Sequence, residues 1–238
     1  MSERDQACRI AMVLFPDLTQ LDLTGPHEVL AAMPGAEIDL VWHCLEPVVA
    51  SRGLSLTPTA TFADYGAADV LFVPGGRGHV DAMEDEALLG FVSRIAEHAR
   101  LITSVCTGSF VLAAAGLLRG RRATSHWASV DQLALFGAHP VKQRVVEDGP
   151  IITGAGVTSG IDFGLTVVAR LHGEAEARRI QLQLEYDPAP PFEGGSIATA
   201  DPAVVARIRQ GNAERDKRRA TIARRVAAGR EPPPMPTA

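Results

Sequence analysis

Among the residues of this 238-residue chain whose type suits them to chemistry, Cys106 comes first, in the stretch LITSVCTGSFVL at residues 101–112. A thiolate is a polarisable nucleophile, and its usefulness depends on how readily the thiol ionises. Leu101 to Val105 is a short, β-branched apolar run of the kind buried on both faces of a parallel sheet, and Cys106 stands at its end. Thr107, Gly108 and Ser109 are small turn and capping residues, after which Phe110, Val111, Leu112 and three alanines resume at helical spacing. The expected unit is a strand, a tight elbow and a helix. It puts the thiol at the carboxyl edge of a sheet, facing a helix N-terminus whose amides and dipole favour thiolate over thiol. The same residues also fit a small buried cysteine with no chemical role.

Three other places carry groups of interest. Residues 70–73 (VLFV) run into Pro74-Gly75-Gly76. Two glycines after a strand let the backbone approach a ligand and leave amides free for a developing negative charge, although a plain tight turn needs them too. His126, in Ala123-Thr124-Ser125-His126-Trp127, has the residue type of a general base, or of a half-buried structural histidine beside a tryptophan. Asp22 sits just before Thr24-Gly25-Pro26, a helix-start pattern, and reads by itself as a capping carboxylate. Gly154-Ala155-Gly156 lacks the GxGxxG and Walker spacings, so no nucleotide is expected. The three cysteines, Cys8, Cys44 and Cys106, are too few for a disulfide scaffold and form no CxxC or His-Cys cluster, so no metal is expected either.

The elements that must position these groups are legible in order. Residues 9–14 (RIAMVL) read as the first buried strand, a helix follows Thr24-Gly25-Pro26, and residues 38–44 (IDLVWHC) read as a second strand. A hairpin or edge ribbon is expected around Arg52-Gly53. Residues 85–98 read as a surface helix with Leu88, Leu89, Val92 and Ile95 inward, leading into the elbow strand. Short strands at 145–146 and 151–153 flank a Glu147-Asp148-Gly149 turn, and helices are expected over 157–171 and 174–185. Residues 186–196 (YDPAPPFEGGS) form a proline-rich excursion, and Asp201-Pro202 opens a last helix by cap and first-turn proline.

Composition sets the bounds. Hydrophobic content of 46% and charged content of 21% suit one α/β domain, and a net charge of -5 gives no general reason to expect nucleic acid or membrane as partner. No apolar run reaches membrane-spanning length and the start MSERDQAC is polar, which predicts a cytoplasmic protein. From Arg207 to Arg230 nine Lys or Arg stand against two acids. Such a helix could meet nucleic acid, or could pack on the body or a sister subunit through Val204, Ile208, Ile222 and Val226. The expected division is residues 1–200 as an α/β domain and 201–238 as a basic helix and frayed tail packed on it.

Read together, LDLTGPHEVL, the PGG turn and SVCTGSFVLAAAGLLRGRRATSHW resemble the ThiJ/PfpI superfamily of the class I glutamine-amidotransferase-like fold. That resemblance implies a single-domain, mostly parallel sheet flanked by helices, a flavodoxin-like sandwich with a nucleophile elbow. Within it, QLDLTGP with Asp22, Thr107 directly after the cysteine, and QLQLEYDPAPPF look most like the isocyanide hydratase branch. Protease and amidase branches place a histidine where Thr107 stands, which argues against a Cys-His peptidase. AraC-type regulators add a C-terminal DNA-binding module, and the 53 residues after Glu185 are too few for one.

The resemblance implies cofactor-independent hydration of isocyanides to N-formamides through a cysteine thioimidate, by a homodimer without metal, nucleic acid or membrane partner. Cys106 would be the nucleophile and Asp22 the proton carrier, with burial and the neighbouring thiolate raising the Asp22 pKa so that the two titrate as a coupled pair. Thr107 would steady the substrate nitrogen or the attacking water, with Gly75, Gly76, His126 and Trp127 as substrate contacts. The alternatives are a small-molecule sensor related to the regulators and a thiol-based stress or deglycase-like protein.

Overall fold

The structure is a computed structural model and describes residues 7–229; the tail expected to fray at 231–238 lies outside them. The strands are β1 (Cys8–Val13), β2 (Ala36–Trp42), β3 (Val48–Val49), β4 (Ser55–Leu56), β5 (Ala60–Thr61), β6 (Val70–Val73), β7 (Leu101–Val105), β8 (Arg122–Ala123), β9 (His139–Pro140), β10 (Val145–Asp148) and β11 (Ile151–Gly154). The helices are α1 (Gln20–Ala31), α2 (His79–Ala82), α3 (Glu86–Ala96), α4 (Gly108–Ala114), α5 (Ser159–His172), α6 (Glu174–Gln183) and α7 (Pro202–Gly229), with a 3-10 helix at Val130–Phe136.

Seven strands make the central sheet in the order β10-β11-β7-β6-β1-β2-β5. All neighbours are parallel except β10 against β11, so the α/β architecture with a mostly parallel sheet is as expected. The continuous apolar runs of β1, β6 and β7 are buried because helices cover both faces. The β3–β4 hairpin turns through Arg52 and Gly53, both at positive φ. The carboxyl ends of β6 and β7 lie side by side, which brings the PGG turn and the elbow together.

Helix α1 departs from its expected start. It begins at Gln20, so Asp22 lies inside the first turn and Pro26 inside the helix. A mid-helix proline forfeits one backbone hydrogen bond, and here close packing on α5 offsets it. A side chain on Gly160 would come within 2.8 Å of Pro26, and one on Gly164 within 2.8 Å of Val29. The two small residues let α1 and α5 approach closely, and α1 thereby carries Asp22 inward instead of capping with it.

In α7 the basic residues lie on a helix whose buried contacts with the body fall in its second half, while Arg209 of the first half reaches over Trp127. Arg219, Ile222 and Ala223 are buried and Val226 packs on the core. Val204 and Ile208, expected on the packing face, are 39% and 41% exposed.

Candidate active site

The elbow forms as its sequence predicts. After β7, Cys106 takes φ 56°, the left-handed region that costs a non-glycine residue about 1–3 kcal/mol unless its surroundings enforce it. They do so through hydrogen bonds. The Cys106 amide donates to the Gly154 carbonyl at 3.0 Å. Its carbonyl accepts from Ser125 Oγ at 2.8 Å and Ser109 Oγ at 3.1 Å. Ser125 and Ser109 are functional supports that sequence reasoning missed, since a serine near a turn carries no mark of which carbonyl it will find.

Asp22 is fully buried. One point beside Gly75, where a side chain would begin, lies 2.7 Å from Asp22 Oδ2, 2.7 Å from Cys106 Cβ and 2.6 Å from the Thr107 amide nitrogen. Carboxyl, thiol-bearing residue and elbow amide therefore converge on one small space, and only glycine leaves it open. Gly75→Ala is expected to push these groups apart, lowering turnover by about 10²-fold or more and lowering the melting temperature. A variant with parental activity and melting curve would show that the convergence is not needed.

Neither oxygen of Asp22 makes a hydrogen bond of good geometry. Burial drives its pKa up to about 7, against the opposing pull of the nearby Cys106 thiol and Gly75 amide. The Cys106 thiol is also pushed up, by burial first and then by the Asp22 charge, while the Thr107 amide and hydroxyl pull it down. This overturns the expectation that the elbow alone would favour thiolate. The helix N-terminus is present, but burial of the thiol, with the Asp22 charge adding to it, outweighs it. Above about pH 7 the Asp22 carboxyl is ionised and the pair's remaining proton stays with the raised Cys106 thiol.

Thr107 faces the same space, and its hydroxyl is tied to the PGG turn. Thr107 Oγ1 accepts from the Gly76 amide at 3.0 Å and lies 3.1 Å from the Gly76 carbonyl, to which it can donate. The Gly76 amide is therefore spent inside the protein, and the Gly75 amide stands toward Asp22. The two glycines serve close approach and a positive φ, at 142° for Gly76, rather than a free pair of donors. His79, unremarked in the sequence, donates from Nδ1 to the Gly76 carbonyl at 2.6 Å and is wholly buried with its pKa driven down to about 3, chiefly by burial.

His126 and Trp127 are half-buried. Nδ1 of His126 accepts the Ala128 amide at 3.3 Å, the ring lies against Gly156, and burial lowers its pKa. Among the described residues no hydrogen bond links His126 to Cys106 or Asp22. Trp127 carries Arg209 over its ring at 6.0 Å. Of the residues read from sequence, the structure thus gathers Asp22, Gly75, Gly76, Cys106 and Thr107 at one place, with His126 and Trp127 joined to it through Ser125. Among the described residues no group of three His, Cys, Asp or Glu side chains could hold a metal ion.

Residues 8–170 match the DJ-1/PfpI family. The chain is 54% identical over 222 residues to an isonitrile hydratase of Pseudomonas putida, covering 93% of this chain and 97% of that one. It is 34% identical over 180 residues to the HTH-type transcriptional regulator CdhR of Pseudomonas aeruginosa, covering 72% of this chain and 53% of the regulator. Among solved structures, a ThiJ/PfpI family protein from Pseudomonas syringae superposes with a TM-score of 0.89 at 46% identity over 91% of this chain and 90% of that one. Drosophila melanogaster DJ-1beta does so with 0.68 at 26% identity over 75% and 98%.

Proposed function

The chain belongs to the DJ-1/PfpI family, and from that membership we propose that it hydrates isocyanides to N-formamides without a cofactor, using Cys106 as nucleophile and Asp22 as proton carrier. The observation that carries the reading is the convergence of the Asp22 carboxyl and Cys106 on one point beside Gly75. The similarity to isonitrile hydratase over nearly the whole of both chains supports the substrate class. The regulator resemblance is weaker and reaches only half of the regulator, so a sensor role is not favoured.

An isocyanide carbon bears a lone pair and accepts a soft nucleophile. Cys106 Sγ attacks that carbon while the proton held by the pair is delivered to it through Asp22, so that C–S and C–H bonds form and a thioimidate results. Asp22, now a carboxylate, takes a proton from water as the water oxygen adds to the same carbon, and the proton passes to the substrate nitrogen. The C–S bond then breaks as the carbonyl forms, the sulfur keeps its electron pair, and the hydroxyl proton returns to the Asp22–Cys106 pair. One water is consumed, the product is R–NH–CHO, and no electrons are gained or lost overall. Thr107 holds the elbow amide toward the sulfur and locks the PGG turn, while His126 and Trp127 border the space for the substrate's organic group.

The direct test is incubation of the purified protein with an aliphatic and an aromatic isocyanide, following formamide by NMR. Formamide above the buffer rate is expected with at least one of them, and its absence with both would end the reading.

No helix among the described residues is long and apolar enough to cross a membrane, and we place the enzyme in the cytoplasm as a homodimer. We read residues 201–229 as part of the same unit as the α/β domain before them, a reading supported by the burial of Arg219, Ile222 and Ala223. In support of the dimer, Leu182 is 81% and Phe192 84% exposed, and Ile197, Val204 and Ile208 follow them along the chain as exposed apolar residues. Light scattering should give twice the 25.3 kDa chain mass, and Phe192→Asp should shift the population toward monomer. A parent protein that is monomeric at micromolar concentration would refute this.

A further inference from the structure

We infer that Arg219 is a positioning residue of the cysteine centre, a buried cation carried on α7 that favours negative charge on the elbow side of the site. Its side chain is 2% exposed although it belongs to the most basic segment of the chain, where every other function would call for solvent or an anionic partner. Burying a guanidinium is costly unless its donors and charge are answered. Nη2 donates to Asp216 Oδ1 at 2.6 Å, Nε donates to Gln132 Oε1 at 2.9 Å, and the group lies 4.9 Å from the centroid of the Phe110 ring.

Each contact leads into the site. Phe110 is in the first turn of α4, and its amide donates to the Thr107 carbonyl. Its ring also neighbours Phe136 and His79, the latter 5.7 Å away between ring centroids and bonded to the same Gly76 carbonyl that Thr107 contacts. Gln132 belongs to the 3-10 helix that follows His126, whose carbonyl accepts the Ser129 and Val130 amides. Arg219 thus links the elbow helix, the PGG turn and the His126 segment to α7. The basic helix is explained by this one inward arginine, with exposed cations such as Arg218 and Arg225 pairing with Asp81 and Glu84 outside.

The charged and titratable groups around it are Asp216 and Arg215 on α7, His79 on α2, His126, and the Asp22–Cys106 pair. Burial, with the arginine's charge adding to it, keeps both histidines neutral, and Arg219 in turn feels the Cys106 charge as stabilising. A cation here favours the ionised sulfur, and Asp216 partly cancels it.

The inference builds on the proposed reaction but is read on the thiol itself, so it stands or falls separately from the substrate. The experiment measures the pH dependence of Cys106 alkylation by iodoacetamide on the full chain, by peptide mass spectrometry to separate it from Cys8 and Cys44. Arg219→Gln should slow alkylation about tenfold at pH values below the thiol midpoint, equivalent to one pH unit. Arg219→Lys should restore most of the rate, and Asp216→Asn, which removes the opposing anion, should speed it. A role confined to anchoring α7 would change the melting temperature and leave these profiles alone. Should Arg219→Gln not fold, Asp216→Asn decides the matter. Unchanged profiles in the folded variants overturn the inference.

Discussion

Cys106→Ser is expected to cut isocyanide hydration by about 10⁴-fold or more while leaving the fold intact, because the reaction has no other nucleophile at the converged point. An oxygen in place of sulfur is harder and ionises far less readily, so neither attack nor departure from the carbon is served. The backbone features that hold the elbow, the amide to Gly154 and the carbonyl to Ser109 and Ser125, do not involve the sulfur. The melting temperature should therefore move by only about 2 °C. Formamide production at more than a tenth of the parent rate would remove Cys106 from the mechanism.

Asp22→Asn should lower kcat by about 10²–10⁴-fold while making the thiol more reactive. The two effects separate because they come from different properties of the carboxyl. As a proton carrier it serves turnover; as an anion it opposes thiolate formation. Alkylation of Cys106 at pH 8 should thus be faster in the variant than in the parent. The pH profile follows from the pair. Turnover needs one proton shared between the two groups, so kcat/KM rises as the first proton leaves with a midpoint near the Asp22 value of about 7, and falls only when the raised thiol ionises.

That rising limb should vanish in Asp22→Asn. Stability runs the opposite way with pH. A carboxyl with a folded-state pKa above its unfolded value contributes stability at low pH that is lost as pH rises through the folded value. The variant should therefore gain on the parent progressively as pH rises from 3.8 to about 7, and keep the full gain above that. Parental turnover in Asp22→Asn would leave the proton with some other carrier.

Much of this protein is legible in local pattern. Leu101 to Val105 is apolar and β-branched, the residues after Cys106 are small, and helical spacing resumes at once, so strand, elbow and helix follow from neighbours in sequence. The PGG turn, the α3 helix capped by Asp85 and the last helix opened by Asp201-Pro202 are set in the same way. Asp22 shows where such reading stops. Its spacing to Gly25-Pro26 suggests a cap, and only the packing of Pro26 on Gly160 turns the helix start so that the carboxyl is buried.

The layered α/β framework and a thiol at a strand-to-helix elbow are already set by the order of residues, because periodicity and turn chemistry act over a few positions. Only the folded chain buries the Asp22 carboxyl beside the elbow, uses up the Gly76 amide, and lays Arg219, more than one hundred positions beyond Cys106, over Phe110 of the elbow helix. Those outcomes depend on desolvation and on contacts between distant segments, and both exist only once the chain has closed around the site.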